Sequence, residues 1–365
     1  MDSPFLYDNI ALKDKFFGRK EELKKLDETV SNSNNILVYS KRRMGKTTLV
    51  KNFLLSCEDS LVLYVDIFDI TSKEDFTHLL LKALSNSYNH FDIKKALLTL
   101  TNLIKRVRFE PTIDPNTLEY AIKPVTLGLK FDEMMEEFFS SIDKISKKQK
   151  VIIAIDEFQE IANIKDLKLD AIIRKYIQER DNISYIFLGS KRHLLTSLFS
   201  YKAPLFELAV HFNLPPLKID DIYDYSKKYL DISKDDIRYI YDLSDGETKL
   251  ILHILHLLYI RDSLVSQEII NMMVEEVVNS KETAFRMIFD TLSNNQKLAL
   301  KLIVNYKTNV FSKQVLEQCN IKKQTLQSAL NSLFKKDFID KEDGGYFVPD
   351  RSLELWMKKN FKDKV

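Results

Sequence analysis

Nine consecutive residues constrain this chain more than any others: Ser40-Lys41-Arg42-Arg43-Met44-Gly45-Lys46-Thr47-Thr48. They follow the apolar run Ile36-Leu37-Val38-Tyr39 and lead into Leu49-Val50-Lys51-Asn52-Phe53-Leu54. The pattern is a buried strand, a tight loop and a helix, and the Gly-Lys-Thr-Thr ending is that of a phosphate-binding loop. Backbone N–H groups of such a loop and of the first helical turn converge on an anion, and the helix dipole favours negative charge there. On this reading Ser40 through Thr48 cradle a nucleotide. Lys46 reaches its β- and γ-phosphates, and Thr47 places its hydroxyl on Mg²⁺. Such a loop usually opens with Gly, which accepts backbone angles that other residues resist; here the position is Ser40.

A second stretch completes the chemistry. Val151-Ile152-Ile153-Ala154-Ile155 runs straight into Asp156-Glu157. Desolvating two carboxylates at the end of a buried strand is costly unless they serve a metal or a water. Asp156 is placed to hold Mg²⁺ through its shell, and Glu157 to orient and deprotonate an attacking water. A further strand, Ile183 to Leu188, ends in Gly189-Ser190, where Ser190 is positioned to sense the γ-phosphate or that water. The catalytic set is therefore Glu157, Lys46 and Ser190, and the metal set Thr47 and Asp156. Arg192 opens the next helix; a solvated helix start and a positive charge offered to a neighbour's nucleotide are its two readings.

Strands alternating with helices argue for a three-layer α/β core with a parallel sheet. Residues 105–130 break the rhythm. Two alternating runs around Asp114-Pro115-Asn116-Thr117 read as an inserted β-hairpin, either a surface decoration or a contact element for a neighbouring subunit, a partner or DNA. Pro215-Pro216 cannot continue a central strand and marks a boundary. The expected division is a core over 1–216, a helical lid over 217–292 and a third unit over 293–365, within the two or three domains that 365 residues suggest.

In that third unit three amphipathic helices precede Gly344-Gly345 and flanking apolar runs, the pattern of a winged helix-turn-helix. Its third helix carries Lys322, Lys323, Gln324, Gln327, Ser328, Asn331, Lys335 and Lys336 on the polar side, residue types suited to phosphates and base edges. Lys322, Lys323, Gln327, Lys335 and Lys336 form the candidate DNA contact. Residues 293–365 hold 14 Lys and Arg against 8 Asp and Glu, a net +6, which leaves −4 for the rest of a chain whose total is +2. Any attraction for DNA is thus concentrated in this unit, and the small total excludes a uniformly basic coat. A protein-contact role for the winged helix is the competing reading.

Two distant cysteines, Cys57 and Cys319, have neither metal-ligand nor redox spacing and suit a reducing compartment. The apolar run Ile251 to Ile260 has about half of the ~20 residues a membrane span needs, and the chain opens without a basic-then-apolar signal pattern, so a cytoplasmic protein without a membrane partner is expected. His253 and His256 lack further ligands at metal-binding spacing and read as core or interface histidines.

Taken together these motifs resemble the prokaryotic, chiefly archaeal, AAA+-type P-loop ATPases of the STAND-related archaeal ATPase family, distant relatives of the initiator and origin-recognition ATPases. Phe17-Gly18-Arg19-Lys20-Glu21-Glu22-Leu23 is similar to that family's F-x-G-R-x-x-E-L entry, which implies that Phe17, Gly18 and Arg19 border the adenine. Ser40 to Thr47 matches G-P-R-R-x-G-K-T, and Ile155 to Glu160 matches the Walker B run. The resemblance implies an AAA+/ASCE-type P-loop NTPase core with a helical lid and a C-terminal winged helix. Two departures stand out. Pro204-Leu205-Phe206-Glu207-Leu208 lacks the arginine that the family often carries there, and Ser244-Asp245-Gly246-Glu247 replaces a Gly-Gly-x-Pro lid loop. An arginine finger contributes ~10³–10⁵-fold in other P-loop systems, so its loss suits a slow switch.

The functional expectation is an ATPase, with ATP and Mg²⁺ as cofactors, that couples binding and hydrolysis to conformational switching of the winged helix, with DNA, a second copy or a protein client as partner. A nucleotide-stabilised DNA-binding or scaffold module with little hydrolysis is the alternative. A small-molecule kinase fits less well, because no separate substrate-binding domain is evident.

Overall fold

The apolar runs marked as strands assemble into one sheet in the computed structural model, which describes residues 3–88, 93–113, 120–126, 128–164, 169–178, 182–262, 264–306, 309–342 and 344–361. Chain contacts divide it into two compact units. The first, residues 19–41 and 45–215, contains in order α1 (Lys20–Ser31), β1 (Ile36–Tyr39), α2 (Lys46–Leu55), β2 (Leu61–Asp66), α3 (Lys73–Asn86), α4 (Ile93–Leu103), β3 (Arg108–Ile113), β4 (Tyr120–Val125) and α5 (Phe131–Ser146). It continues with β5 (Val151–Asp156), a 3-10 segment (Phe158–Asn163), α6 (Leu169–Gln178), β6 (Ile183–Gly189), α7 (Arg192–Phe199) and β7 (Val210–Asn213).

Five strands pair in parallel in the order β2-β5-β6-β1-β7. β5 and β6 are buried along their whole length, which is why they read as continuous rather than alternating apolar runs. The register sets Tyr39 beside Gly189 and Asp66 beside Asp156. Parallel pairing therefore brings the carboxyl ends of β1, β2, β5 and β6 to one edge, where ligands bind in open α/β sheets. Beneath that edge Phe158 packs on Phe187 and Phe199, with centroids 4.4 and 5.8 Å away.

β3 and β4 form the antiparallel hairpin expected over 105–130 and make a separate two-stranded sheet. Phe109 and Ile122 bury one face, while Ile113 and Tyr120 are exposed. The Asp114-Pro115-Asn116-Thr117 turn lies outside the described residues.

The second unit groups residues 1–18, 42–44 and 216–365. Its elements are α8 (Ile219–Ser226), α9 (Lys234–Ser244), α10 (Thr248–Arg261), α11 (Gln267–Ser280), α12 (Glu282–Asp290), α13 (Asn294–Tyr306), α14 (Lys313–Gln318), α15 (Lys323–Lys335), β8 (Asp340–Glu342), β9 (Gly345–Phe347) and α16 (Arg351–Phe361). Helices α13 to α15 and the β8–β9 wing make the winged helix. Residues 1–18 group with this unit rather than with the sheet, unlike the division expected from sequence, for an aromatic reason. Phe5 sits edge-on to Tyr225, Tyr229 and Tyr259, and Phe17 stacks on Tyr225 at 4.1 Å.

The sequence reading did not include α16. Its Leu353, Trp356 and Met357 fall at i, i+3 and i+4 and are buried in the winged-helix core. Arg351 fastens its first turn: Nε donates to the Leu243 carbonyl at 2.8 Å and Nη1 pairs with Glu354 at 2.6 Å. Among the described residues no helix is long and apolar enough to cross a membrane.

Candidate functional site

The phosphate loop leaves β1 and enters α2. Gly45 opens that helix at φ +88°, an angle at which an L side chain is strained. Ser40 does not adopt a left-handed backbone, so the turn tolerates serine where glycine is usual. Its hydroxyl donates to the Lys41 carbonyl at 2.9 Å. Lys46 is buried, and its ammonium folds back over the loop to the Ser40 carbonyl at 3.4 Å, Ser40 Oγ at 3.3 Å and the Lys41 carbonyl at 3.1 Å. A buried ammonium held by neutral oxygens is well suited to exchange them for phosphate oxygens, a charge-assisted and stronger pairing. Thr48 continues α2.

Thr47 and Asp156 meet as their spacing implies. Thr47 Oγ1 donates to Asp156 Oδ2 at 2.6 Å, and Asp156 is buried. Tyr64, a strand residue that sequence reading passed over, donates its hydroxyl to the same oxygen at 2.6 Å. Burial, and then the Asp156 charge, push the Tyr64 phenol well above its ordinary range, so it stays a donor. The Glu157 N–H donates to Asp156 Oδ1 at 2.9 Å. Burial raises the pKa of the neighbouring Asp66.

A hydroxyl and a carboxylate converging on one point are hard oxygen donors that fit Mg²⁺. Among the described residues no three His, Cys, Asp or Glu form a closed metal cage. When bound with ATP, the ion neutralises phosphate charge; Thr47 and Asp156 would hold it.

Glu157 follows directly, with its backbone left-handed at φ +54°. Such a conformation in a non-glycine residue costs roughly 1–3 kcal/mol and concentrates at functional sites. Its Oε2 accepts from Gln159 Nε2 in a short hydrogen bond and from Ser190 Oγ at 3.4 Å. The structure therefore joins Glu157 to Ser190, as sequence spacing alone implied only loosely. It also adds Gln159, which the sequence reading saw only as part of the Walker B run. Side-chain spacing gave no signal for Tyr64 or Gln159, because each acts across strands.

The remaining predicted residues are distributed differently. Arg19 is buried with a left-handed backbone, and its Nη1 donates to Glu22 at 2.9 Å and to the Pro215 carbonyl at 2.6 Å. Phe17, Gly18, Arg42, Arg43 and Met44 belong to the second unit. Gly18 has φ +65°, and a Cβ there would lie 3.1 Å from Asp221 and Leu217. Arg43 pairs with Asp350 at 2.7 Å and reaches Glu247 at 3.8 Å, and Arg42 reaches Asp337 at 3.7 Å. The Arg43 carbonyl accepts from the Lys249 N–H at 3.2 Å, and the Met44 carbonyl from Thr248 Oγ1 at 3.4 Å. These arginines, expected to cradle phosphates, are thus engaged by carboxylates. Burial pushes Glu247 up to about 7 against the opposing pull of Arg43.

Lys323 and Lys335 on α15, and Lys322 and Lys336 that cap its ends, are exposed. Gln327 is half-buried and donates to Asn331 at 3.0 Å and to the Tyr346 hydroxyl of the wing at 3.2 Å.

Comparison with known proteins agrees with this geometry. Residues 16–254 match the model of an ATPase domain predominantly from Archaea, and residues 283–359 match a probable winged helix domain. No curated protein matches the chain. Among solved structures, the Walker-type ATPase PABY2304 of Pyrococcus abyssi is similar over 98% of this chain and 100% of its own, with a TM-score of 0.68 at 18% identity. The Aeropyrum pernix ORC2 protein in its ADP form gives 0.56 at 13% identity, covering 99% of this chain and 98% of its own. The Aeropyrum pernix ORC1 protein, solved in complex with DNA, gives 0.53 at 14%, covering 98% of this chain and 96% of its own. At these identities the likeness is one of fold, a P-loop α/β core with a C-terminal winged helix. With the family model spanning well over half of its length, the chain belongs to the family of ATPase domains found predominantly in Archaea.

Proposed function

We propose that the protein binds Mg²⁺–ATP and hydrolyses it slowly, and that the nucleotide state is communicated to the winged helix. The observation that carries hydrolysis, rather than binding alone, is the convergence of Thr47, Asp156, Glu157 and Ser190 at the carboxyl edge of one parallel sheet. Lys46 holds the phosphates. Thr47 and Asp156 hold the ion. Glu157 takes the proton of the attacking water, and Ser190 fixes its approach.

Arg43 supports the communication. It sits in the phosphate loop, yet its guanidinium is paired with Asp350 beside the wing and approaches Glu247 at the start of α10. DNA association is supported by the exposed Lys322, Lys323, Lys335 and Lys336 on α15 and its caps and by the net +6 of residues 293–365. The fold shared with a protein solved in complex with DNA is consistent with it.

The test is ATP binding and steady-state phosphate release, with and without duplex DNA, in the wild type and Lys46→Ala. Binding and release that both vanish in Lys46→Ala support the reading. Phosphate release surviving that substitution would overturn it.

A further inference from the structure

We infer that Gln159 is a positioning residue for the hydrolytic glutamate, holding Glu157 in register with the end of β6; the inference rests on the ATPase reading above. Four observations carry it. Gln159 is fully buried, so its amide has no water to turn to. Its Nε2 donates to Glu157 Oε2. Its Oε1 accepts the Ser190 backbone N–H at 3.3 Å, so one side chain ties the carboxylate to the sensor peptide. Finally, a Cβ at Gly189 would lie 2.4 Å from that same Oε1 and under 3 Å from Leu195, so the space beside the amide admits only glycine.

A second tie runs parallel to the first. Lys191 Nζ, one residue beyond Ser190, pairs with Glu160 at 3.1 Å, and both side chains are largely buried. The 3-10 segment after Glu157 is thereby fastened to the end of β6 at two adjacent residues. Gln159 uses only one oxygen of the carboxylate. Among the described residues no hydrogen bond engages Glu157 Oε1, which leaves that oxygen for the water. A left-handed residue would otherwise be free to relax towards commoner angles. The Gln159 clamp opposes this, and it makes the position of the base depend on the position of the sensor peptide.

The amide, not the bulk, is what matters, so the informative variant is Gln159→Met, which keeps the volume and removes both hydrogen bonds. Misplacing a reacting group by about 1 Å costs on the order of 10²-fold in rate. We expect Gln159→Met to lower kcat by roughly tenfold to a hundredfold, with KM and the equilibrium Kd for ATP unchanged within about twofold. Gln159→Asn, an amide one methylene shorter, recovers part of that loss. In the Glu157→Gln background, Gln159→Met should have no further effect on kcat, because the group it positions is gone.

Wild-type kcat in Gln159→Met would overturn the inference. So would an equal further loss in the Glu157→Gln background, or a loss of ATP affinity matching the loss of kcat, which would mark Gln159 as a packing residue. The ATPase reading fails separately: it falls if the wild type releases no phosphate or if Glu157→Gln turns over normally, whatever Gln159 does.

Discussion

Replacing Glu247 by glutamine should make the second unit more stable at alkaline pH and leave it unchanged at acidic pH. Glu247 is buried; among the described residues its Oε2 accepts only the Arg351 N–H, at 3.3 Å, and its Oε1 makes no hydrogen bond. Arg43 stands 3.8 Å away and is engaged more closely by Asp350 at 2.7 Å. Burial therefore outweighs the guanidinium, and Glu247 titrates at about 7 rather than 4.5. Below about pH 4.5 the carboxyl is protonated in folded and unfolded chains alike. Between pH 4.5 and 7 the folded chain keeps a proton that the unfolded chain releases, so stability falls as pH rises, and above 7 the loss is complete. At about 1.4 kcal/mol per pH unit this amounts to roughly 3 kcal/mol.

Glutamine carries no charge to desolvate, so Glu247→Gln should lose the slope between pH 5 and 7 and exceed the wild type at pH 8 by about 1–3 kcal/mol. The lower end allows for the weakened attraction to Arg43. The single tryptophan, Trp356, is buried in α16 of the same unit and reports its unfolding by fluorescence. Urea titrations at half-unit pH steps compare the two proteins. Parallel stability curves, or a variant weaker than the wild type at pH 8, would refute the reasoning.

Four other outcomes follow. Tyr64→Phe removes one of two hydrogen bonds to Asp156 Oδ2; the Mg²⁺ concentration for half-maximal phosphate release should rise about tenfold, the usual cost of losing an outer support of a metal ligand. Gly189→Ala should lower kcat as Gln159→Met does, because the new Cβ displaces the same amide; circular dichroism checks that the fold survives. Arg351→Ala should weaken the second unit by about 1–3 kcal/mol, read from Trp356 fluorescence in urea, because it removes the donor to the Leu243 carbonyl and leaves Glu354 with Lys358 alone. Lys322→Ala combined with Lys323→Ala should reduce the slope of log K against log salt for duplex DNA by about 2, roughly one counterion per phosphate contact.

Legibility in the sequence tracked contiguity. The phosphate loop and the Asp156-Glu157 pair stand out because each is a single run, bounded by buried strands with continuous apolar faces. The winged helix was readable from the Leu326, Ala329, Leu330 and Leu333 stripe, all buried on α15. What escaped depends on pairing across the sheet. Tyr64 reaches Asp156 only because β2 lies beside β5 in a register that aligns Asp66 with Asp156. Gln159 meets Ser190 only because β6 flanks β5 on the other side. Neither register is encoded in spacing along the chain.

Other residues have surroundings that the local sequence does not announce. Arg42 and Arg43 look like phosphate ligands from sequence, and nothing nearby announces that Asp337, Glu247 and Asp350, some 200 to 300 residues later, compete for them. Phe5 and Phe17 pack on Tyr225, and nothing near them along the chain points to a tyrosine some 200 residues later. Ser40 illustrates the converse, a departure from the motif at a position whose backbone does not demand glycine.

The central claim is that Glu157 activates water at a site where Lys46 already grips the nucleotide. Steady-state phosphate release and equilibrium ATP binding, measured on the same preparations of wild type and Glu157→Gln with Mg²⁺ present, test it most directly. Glu157→Gln is expected to bind ATP at least as tightly as the wild type and to release phosphate at least 100-fold more slowly, within the range attributed to a general base. Equal release rates in the two proteins would contradict it.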